Sequence, residues 1–272
     1  MFPKLEKLLL ATEGSLYSEG AIREAIHFAK KCSSKLYAVF VLETNPDYET
    51  IGSSFFEEEK TEAIRHLESI KTRALQEGVS CDTIFHQGAE AHQYIVDEAG
   101  HRKADMIIIG RRQRKGLAKL LIGEVAAKVI GHADCKVLVV PKAAKIKCKN
   151  ILVATNGSDH SNAAISEAIG LAKCYGSNIV AVSTMRSEDE REQARSNVNK
   201  VVELAQEEGI AVEVLTPVGN SHDAVIEIAG GRGVDLIVMG TYGKKGVKKL
   251  LMGSSTEKVI GNAGCAVLVV KS

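Results

Sequence analysis

Leu8-Leu-Leu-Ala-Thr-Glu-Gly-Ser15 and Ile151-Leu-Val-Ala-Thr-Asn-Gly-Ser158 are one segment written twice, 143 residues apart. Each is a short apolar run that stops at a small-residue turn, which reads as a buried strand followed by a tight loop. The likeness continues downstream: Glu24, Ala25 and Ile26 answer Glu167, Ala168 and Ile169, and Ala38-Val39 answers Ala181-Val182. Further on the offset falls to 130, where Asp105 to Gly110 (DMIIIG) matches Asp235 to Gly240 (DLIVMG) and the run after Cys135 matches the run after Cys265. The shortfall places a deletion in the second copy opposite Glu43 to Phe56, where Pro46, Gly52, Ser53 and Ser54 read as loop.

The repeat decides the domain count that 272 residues leave open. Two domains are expected, 1–143 and 148–272, joined by the short lysine-rich link Pro141 to Lys149. Each copy reads strand, helix, strand, helix, strand, helix, strand, loop, helix, strand. Ala21, Ile22, Ala25, Ile26 and Ala29 share one helical face, and Ala164, Ile165, Ala168, Ile169 and Ala172 repeat it. Ile107 to Ile109 and Leu236 to Val238 are continuous apolar runs, as strands buried on both sheet faces require. Alternating strands and helices give an α/β fold, a doubly wound parallel sheet in each copy.

Composition narrows the function. With 45% apolar and 25% charged residues the chain can bury a core, and a net charge of +1 supplies no global field toward nucleic acid or an anionic membrane. The six cysteines form no C-x-x-C pair and no zinc-ligand spacing, so no metal is expected and a reduced, cytoplasmic setting is. The apolar start of the chain recurs at Ile151 as a structural segment, so it reads as strand rather than signal, and no apolar run is long enough for a membrane span.

In open parallel sheets ligands sit beyond the carboxyl ends of the strands where strand order reverses. In copy two the loop after the fourth strand runs from Gly240 through Gly243 and Gly246 to Gly253-Ser254-Ser255, which opens a helix. Glycines let backbone N–H groups approach an anion, and a helix N-terminus favours phosphate. The loop is neither a Walker A sequence nor a G-x-G-x-x-G fingerprint. Taken alone it is also what a long surface turn needs.

These residues resemble the universal stress proteins, here as a tandem of two repeats covering essentially the whole chain. Nucleotide-binding members of that family carry G-x2-G-x9-G-[ST] after the fourth strand, and Gly240, Gly243, Gly253 and Ser254 satisfy it. The resemblance implies five-stranded Rossmann-like sheets of the adenine nucleotide alpha hydrolase type, packed as a pseudo-twofold dimer through the closing strands Val137 to Val140 and Val267 to Val270. It implies ATP, with or without Mg, held in the second copy by Asn156, Thr184, Met239, Gly240, Gly243, Gly253, Ser254 and Ser255. Asn156 departs from the acidic residue usual there, and Thr184 would read adenine through its backbone. Gln113 and Glu124 break the motif in copy one. If residue 113 needs positive φ, glutamine costs about 1 kcal/mol, and a carboxylate at a helix N-terminus takes the place of phosphate oxygens. Glu124 is expected to cap its helix and pair with Arg111, Arg112 or Arg114, and no nucleotide is expected in that copy; a different polyanion or an acidic protein on its basic loop is the alternative.

Cys135 and Cys265 read as small buried packing groups, Asp105 and Asp235 as turn or cap residues, and Lys244, Lys245, Lys248 and Lys249 as a solvated face. His66, His101, His132 and His222 are scattered, and no nucleophile or acid/base pair follows from spacing, so an enzyme is not the first expectation. The expectation is an ATP-binding stress-response regulator with a protein partner, without nucleic acid or membrane, and with a homodimer as an open extension. A slow ATPase and a nucleotide-free interaction scaffold are the rivals.

Overall fold

The computed structural model describes residues 5–44, 53–112, 122–241 and 252–271. Lys4–Arg112 with Gly123–Ala143 form one compact unit, and Ala144–Ser272 belong to the other. In the N-terminal unit the order is β1 (Lys7–Thr12), α1 (Glu19–Cys32), β2 (Lys35–Glu43), α2 (Ser53–Gln76), β3 (Cys81–Gly88), α3 (Ala91–Arg102), β4 (Met106–Gly110), α4 (Glu124–His132) and β5 (Lys136–Val140). The C-terminal unit repeats it as β6 (Asn150–Ala154), α5 (Asp159–Tyr175), β7 (Asn178–Val182), α6 (Arg191–Glu207), β8 (Val212–Leu215), α7 (Ser221–Gly231), β9 (Leu236–Gly240), α8 (Ser254–Asn262) and β10 (Ala266–Val270). A short 3-10 turn, Glu188–Glu190, precedes α6.

Within each unit the strands are parallel, ordered β3-β2-β1-β4-β5 and β8-β7-β6-β9-β10. The apolar runs seen in the sequence become the central strands: Leu8, Leu9, Leu10, Ile107 and Ile108 are fully buried, as are Leu152, Val153, Ile237 and Val238. The two five-residue helix faces lie against these sheets with every member buried. Truncating one such strand residue to alanine leaves a cavity and costs about 2–5 kcal/mol.

The stretch expected as loop in copy one is shorter than the sequence suggested. Glu43 ends β2, held by the register Glu43↔Gly88, and Ser53 and Ser54 already belong to α2. The helix-forming run Glu57 to Lys60 follows directly, and helix propensity there outweighs the turn chemistry of the two serines. Part of the extra length of copy one is therefore helix: α2 has 24 residues where α6 has 17.

Candidate functional site

In the C-terminal unit the strand order reverses between β6 and β9, and the loops leaving their carboxyl ends frame a crevice. The loop after β6 is braced by its own hydroxyls. Thr155 Oγ1 donates to Ser161 Oγ at 3.2 Å, Gly157 N–H donates to Thr155 Oγ1 at 3.3 Å, and Ser158 Oγ caps α5 by accepting from Ser161 N–H at 3.3 Å. Gly157 has φ of +76° and its counterpart Gly14 +75°, a left-handed turn that makes glycine the fitting residue in both copies. Asn156 is exposed at the rim; its Oδ1 accepts from Ser158 N–H at 3.1 Å, which leaves Nδ2 to donate outward.

The exit of β7 sets the direction of the Thr184 backbone groups. Thr155 N–H donates to Val182 O at 2.9 Å, whereas Ser183 N–H donates to Leu215 O at 3.1 Å and Met185 N–H to Pro217 O at 2.9 Å. Successive peptides of an extended chain face opposite sides, so the N–H and C=O of Thr184 face the β6 side, where β6 has already ended. Among the described residues no backbone group meets them there.

Met239 is a buried strand residue, paired with Ala154 and Val269, one position before the loop. Gly240 has a packing reason to be glycine: a Cβ there would stand 2.7 Å from the His160 backbone carbon at the start of α5, as a Cβ on Gly110 would stand 2.7 Å from Tyr17 O. The first glycine of the motif thus brings strand and helix together in both copies, with or without a ligand. Gly243 and Lys244, Lys245, Lys248 and Lys249 lie outside the described residues.

The helix end corrects one sequence reading. Gly253 N–H is not bare, because it donates to Thr241 O at 2.9 Å, and Thr256 Oγ1 donates to Gly240 O at 3.1 Å. These bonds clamp the loop ends, and the amides left facing outward are those of the first helical residues Ser254 and Ser255. Helix geometry gives them no acceptor, and the cap residue Gly253 has no side chain to offer one. The clamped turn fits a polyanionic group through main-chain donors, and the Thr184 peptide fits a flat base with a donor and an acceptor on one edge.

The N-terminal unit keeps the same backbone and changes the side chains. Its cap Gly123 has φ −59°, ψ 144°, against −62°, 139° at Gly253. The first helical residue is Glu124, which meets Lys128 Nζ at 3.0 Å, and Lys128 also reaches Glu90 Oε2 at 3.2 Å. Hydrogen bonds to Glu124 and Glu90 hold the Lys128 ammonium above its ordinary range. The cap residue Gly123 has no side chain to offer the helix, and Lys128, which the sequence did not single out, forms an ion pair with Glu124. Arg111 is buried at this unit's strand end, while Gln113 and Arg114 lie outside the described residues.

His66, scattered in sequence, reaches the N-terminal crevice from α2. Its Nε2 lies 2.9 Å from Thr12 Oγ1, and its ring meets Phe40 edge-on at 6.2 Å between centroids. Burial lowers its pKa, with Arg73 adding to the effect while Glu13 and Glu19 pull it back. Sequence spacing carried no signal for this contact, because Thr12 and His66 stand 54 residues apart.

Asp105 accepts from Glu6 N–H at 2.7 Å and Lys7 N–H at 2.8 Å, and Asp235 accepts from Lys149 N–H at 3.2 Å. Both therefore clasp the start of a neighbouring strand rather than capping their own turn, and burial raises the pKa of Asp235. Cys135 and Cys265 are half-buried rather than buried, and burial pushes the Cys81 thiol up to about 11, away from thiolate chemistry. Among the described residues no cluster of His, Cys, Asp or Glu is placed to hold a metal ion, and no helix is long and apolar enough to cross a membrane.

A duplicated five-stranded parallel sheet with a glycine-framed crevice at the switch point agrees with the comparisons. The profile of the universal stress protein family matches residues 4–141 and again 147–271, so the chain belongs to that family as a tandem of two repeats. It is 24% identical to a universal stress protein of Synechocystis sp. over 298 aligned positions, covering 98% of this chain and all of that one. It is 36% identical to a universal stress protein of Methanocaldococcus jannaschii over 148 positions, 52% of this chain and 84% of that one. Among solved structures, a universal stress protein from Archaeoglobus fulgidus superposes with a TM-score of 0.81, covering 99% of both chains at 21% identity, a likeness of fold.

Proposed function

We propose that the C-terminal domain binds ATP as a regulatory ligand and that its occupancy biases the binding of a protein partner in a stress response. Family membership supports the stress-response role. The observation that carries the ligand is the pairing, at one switch point, of the outward Thr184 peptide with a first turn of α8 that has no side-chain cap among the described residues. A base seats against the former and phosphates against the latter. Asn156 Nδ2 donates from the rim. Mg is compatible as a partner of the phosphates rather than of protein ligands. A switch requires only that ATP bind two states of the protein unequally.

Ser254→Pro tests the reading because it deletes one main-chain donor without disturbing the turn. Proline is favoured at the first helical position, and Gly253 already has the extended ψ that precedes proline. Nucleotide released on denaturation and ATP titration should show about one ATP per intact chain. The substitution should weaken binding about tenfold, the worth of roughly 1.4 kcal/mol, with an unchanged melting curve. No bound or titratable ATP in the intact protein leaves the interaction scaffold as the better reading, and turnover abolished by Ser254→Pro supports an ATPase.

A further inference from the structure

Among the described residues the two crevices differ at a corner made by the end of the second strand and the facing helix. In the N-terminal unit Phe40, paired with Thr12 in the strand register, and His66 fill it. A Cβ on Gly14 would stand 3.3 Å from Phe40 Cε2 and 3.8 Å from His66 Cγ, and Phe85 stacks behind Phe40 at 6.4 Å. The counterparts are Ser183 and Asn197. Ser183 is buried, and Asn197 Oδ1 lies 2.5 Å from where a Cβ on Gly157 would be, so Asn197 borders the Gly157 turn as His66 borders Gly14.

The Asn197 carboxamide is held at both ends. Its Nδ2 donates to Ser183 Oγ at 3.1 Å, and its Oδ1 accepts from Gln193 Nε2 at 3.0 Å. An amide has two N–H donors and two carbonyl lone pairs, so one of each stays available in a fixed orientation. The half-buried group stands beside Ser183, next to the outward Thr184 peptide.

Building on the proposal that this domain binds an adenine nucleotide, we infer that Asn197 is a base-reading residue that selects a 6-aminopurine over a 6-oxopurine. A fixed carboxamide acceptor and donor match the amino group and N7 of adenine, whereas the O6 and N7 edge of guanine presents two acceptors. A site that hydrogen-bonds one base penalises the other by leaving a polar group unpaired. Ser183 supports this role by anchoring Nδ2 with a side chain small enough to leave room. Phe40 and His66 close the same corner of the N-terminal unit with rings.

The test is calorimetric titration of the full chain with ATP and with GTP, comparing the unmodified protein with Asn197→Leu and Asn197→Asp. The unmodified protein should prefer ATP by about tenfold or more. Asn197→Leu should weaken ATP about tenfold and bring the two nucleotides within about twofold of each other. Asn197→Asp, which keeps shape and the acceptor that meets the amino group but cannot donate to the ring nitrogen, should retain the native melting curve, weaken ATP and keep the preference for ATP. A parallel loss for ATP and GTP in Asn197→Leu with the preference intact marks Asn197 as a loop support and overturns the inference, as does unchanged ATP binding in both variants. Absence of ATP binding in the unmodified protein overturns the underlying site instead, and with it this role.

Discussion

The two domains share a backbone and diverge in what fills it. Gly123 and Gly253 have the same dihedrals, Thr12–Ser18 and Thr155–Ser161 form the same hydroxyl pair at 3.1 and 3.2 Å, and Gly110 and Gly240 face the same close helix contact. Against that common frame, one crevice holds Glu124, Lys128, Phe40 and His66, and the other has Ser254, Ser183 and Asn197. Both copies keep the turns on which the fold depends, while the side chains at the crevice are charged and aromatic in one and small and polar in the other. The comparison separates glycines kept for packing in both copies from positions whose side chains differ between them, which a single domain does not allow.

Breaking what the copies share should have the largest effect. Gly110→Ala sets a Cβ 2.7 Å from the Tyr17 carbonyl oxygen just ahead of α1 and Gly240→Ala sets one 2.7 Å from the His160 backbone in α5, and backbone does not yield as a side chain end does. Each should destabilise its domain by about 1–3 kcal/mol in denaturant titrations. Near-neutral behaviour of Gly240→Ala would return that residue to a ligand role alone. The next largest effect belongs to the helix N-termini: Ser254→Pro should weaken ATP about tenfold, whereas Glu124→Pro should leave ATP binding unchanged. Equal losses would show that the N-terminal crevice also takes nucleotide.

A gain-of-site variant sharpens the contrast further. Phe40→Ser, His66→Asn and Glu124→Ser together give the N-terminal crevice the side chains of the other. A second, weaker ATP equivalent should appear in titration; a stoichiometry still near one would move the decision to residues such as Gln113. The smallest effect is in pH. Burial lowers the His66 pKa from 6.5, so the unfolded chain binds the proton more readily and stability from this group is lost as pH falls through 6.5 toward the folded value. His66→Gln should reduce the fall in melting temperature between about pH 7.5 and 5 by on the order of 1–2 °C. An unchanged pH profile would mean that the imidazole is as well solvated in the folded crevice as outside it.

Fold and site were unequally legible. The strands from Leu8 and Ile151 and the two buried helix faces follow from spacing, because burial on a sheet or helix repeats with the local period of the backbone. The loop boundary near Ser53 was misread because turn residues and a helix start share the same serines. The corner of Asn197, Ser183 and Gly157 was invisible, since its members lie on three separate elements and carry no motif.

From the sequence alone came the duplication, the α/β class, the faces that pack and the family resemblance, all properties of neighbours along the chain. Only the tertiary structure decided that Gly240 answers to a helix backbone, that the Gly253 amide is already bonded, and that His66 fills one crevice while Asn197 stands in the other. Those facts depend on how closely helices settle on a twisted sheet. That closeness is set by the packing of side chains dozens of residues apart, which periodicity does not encode.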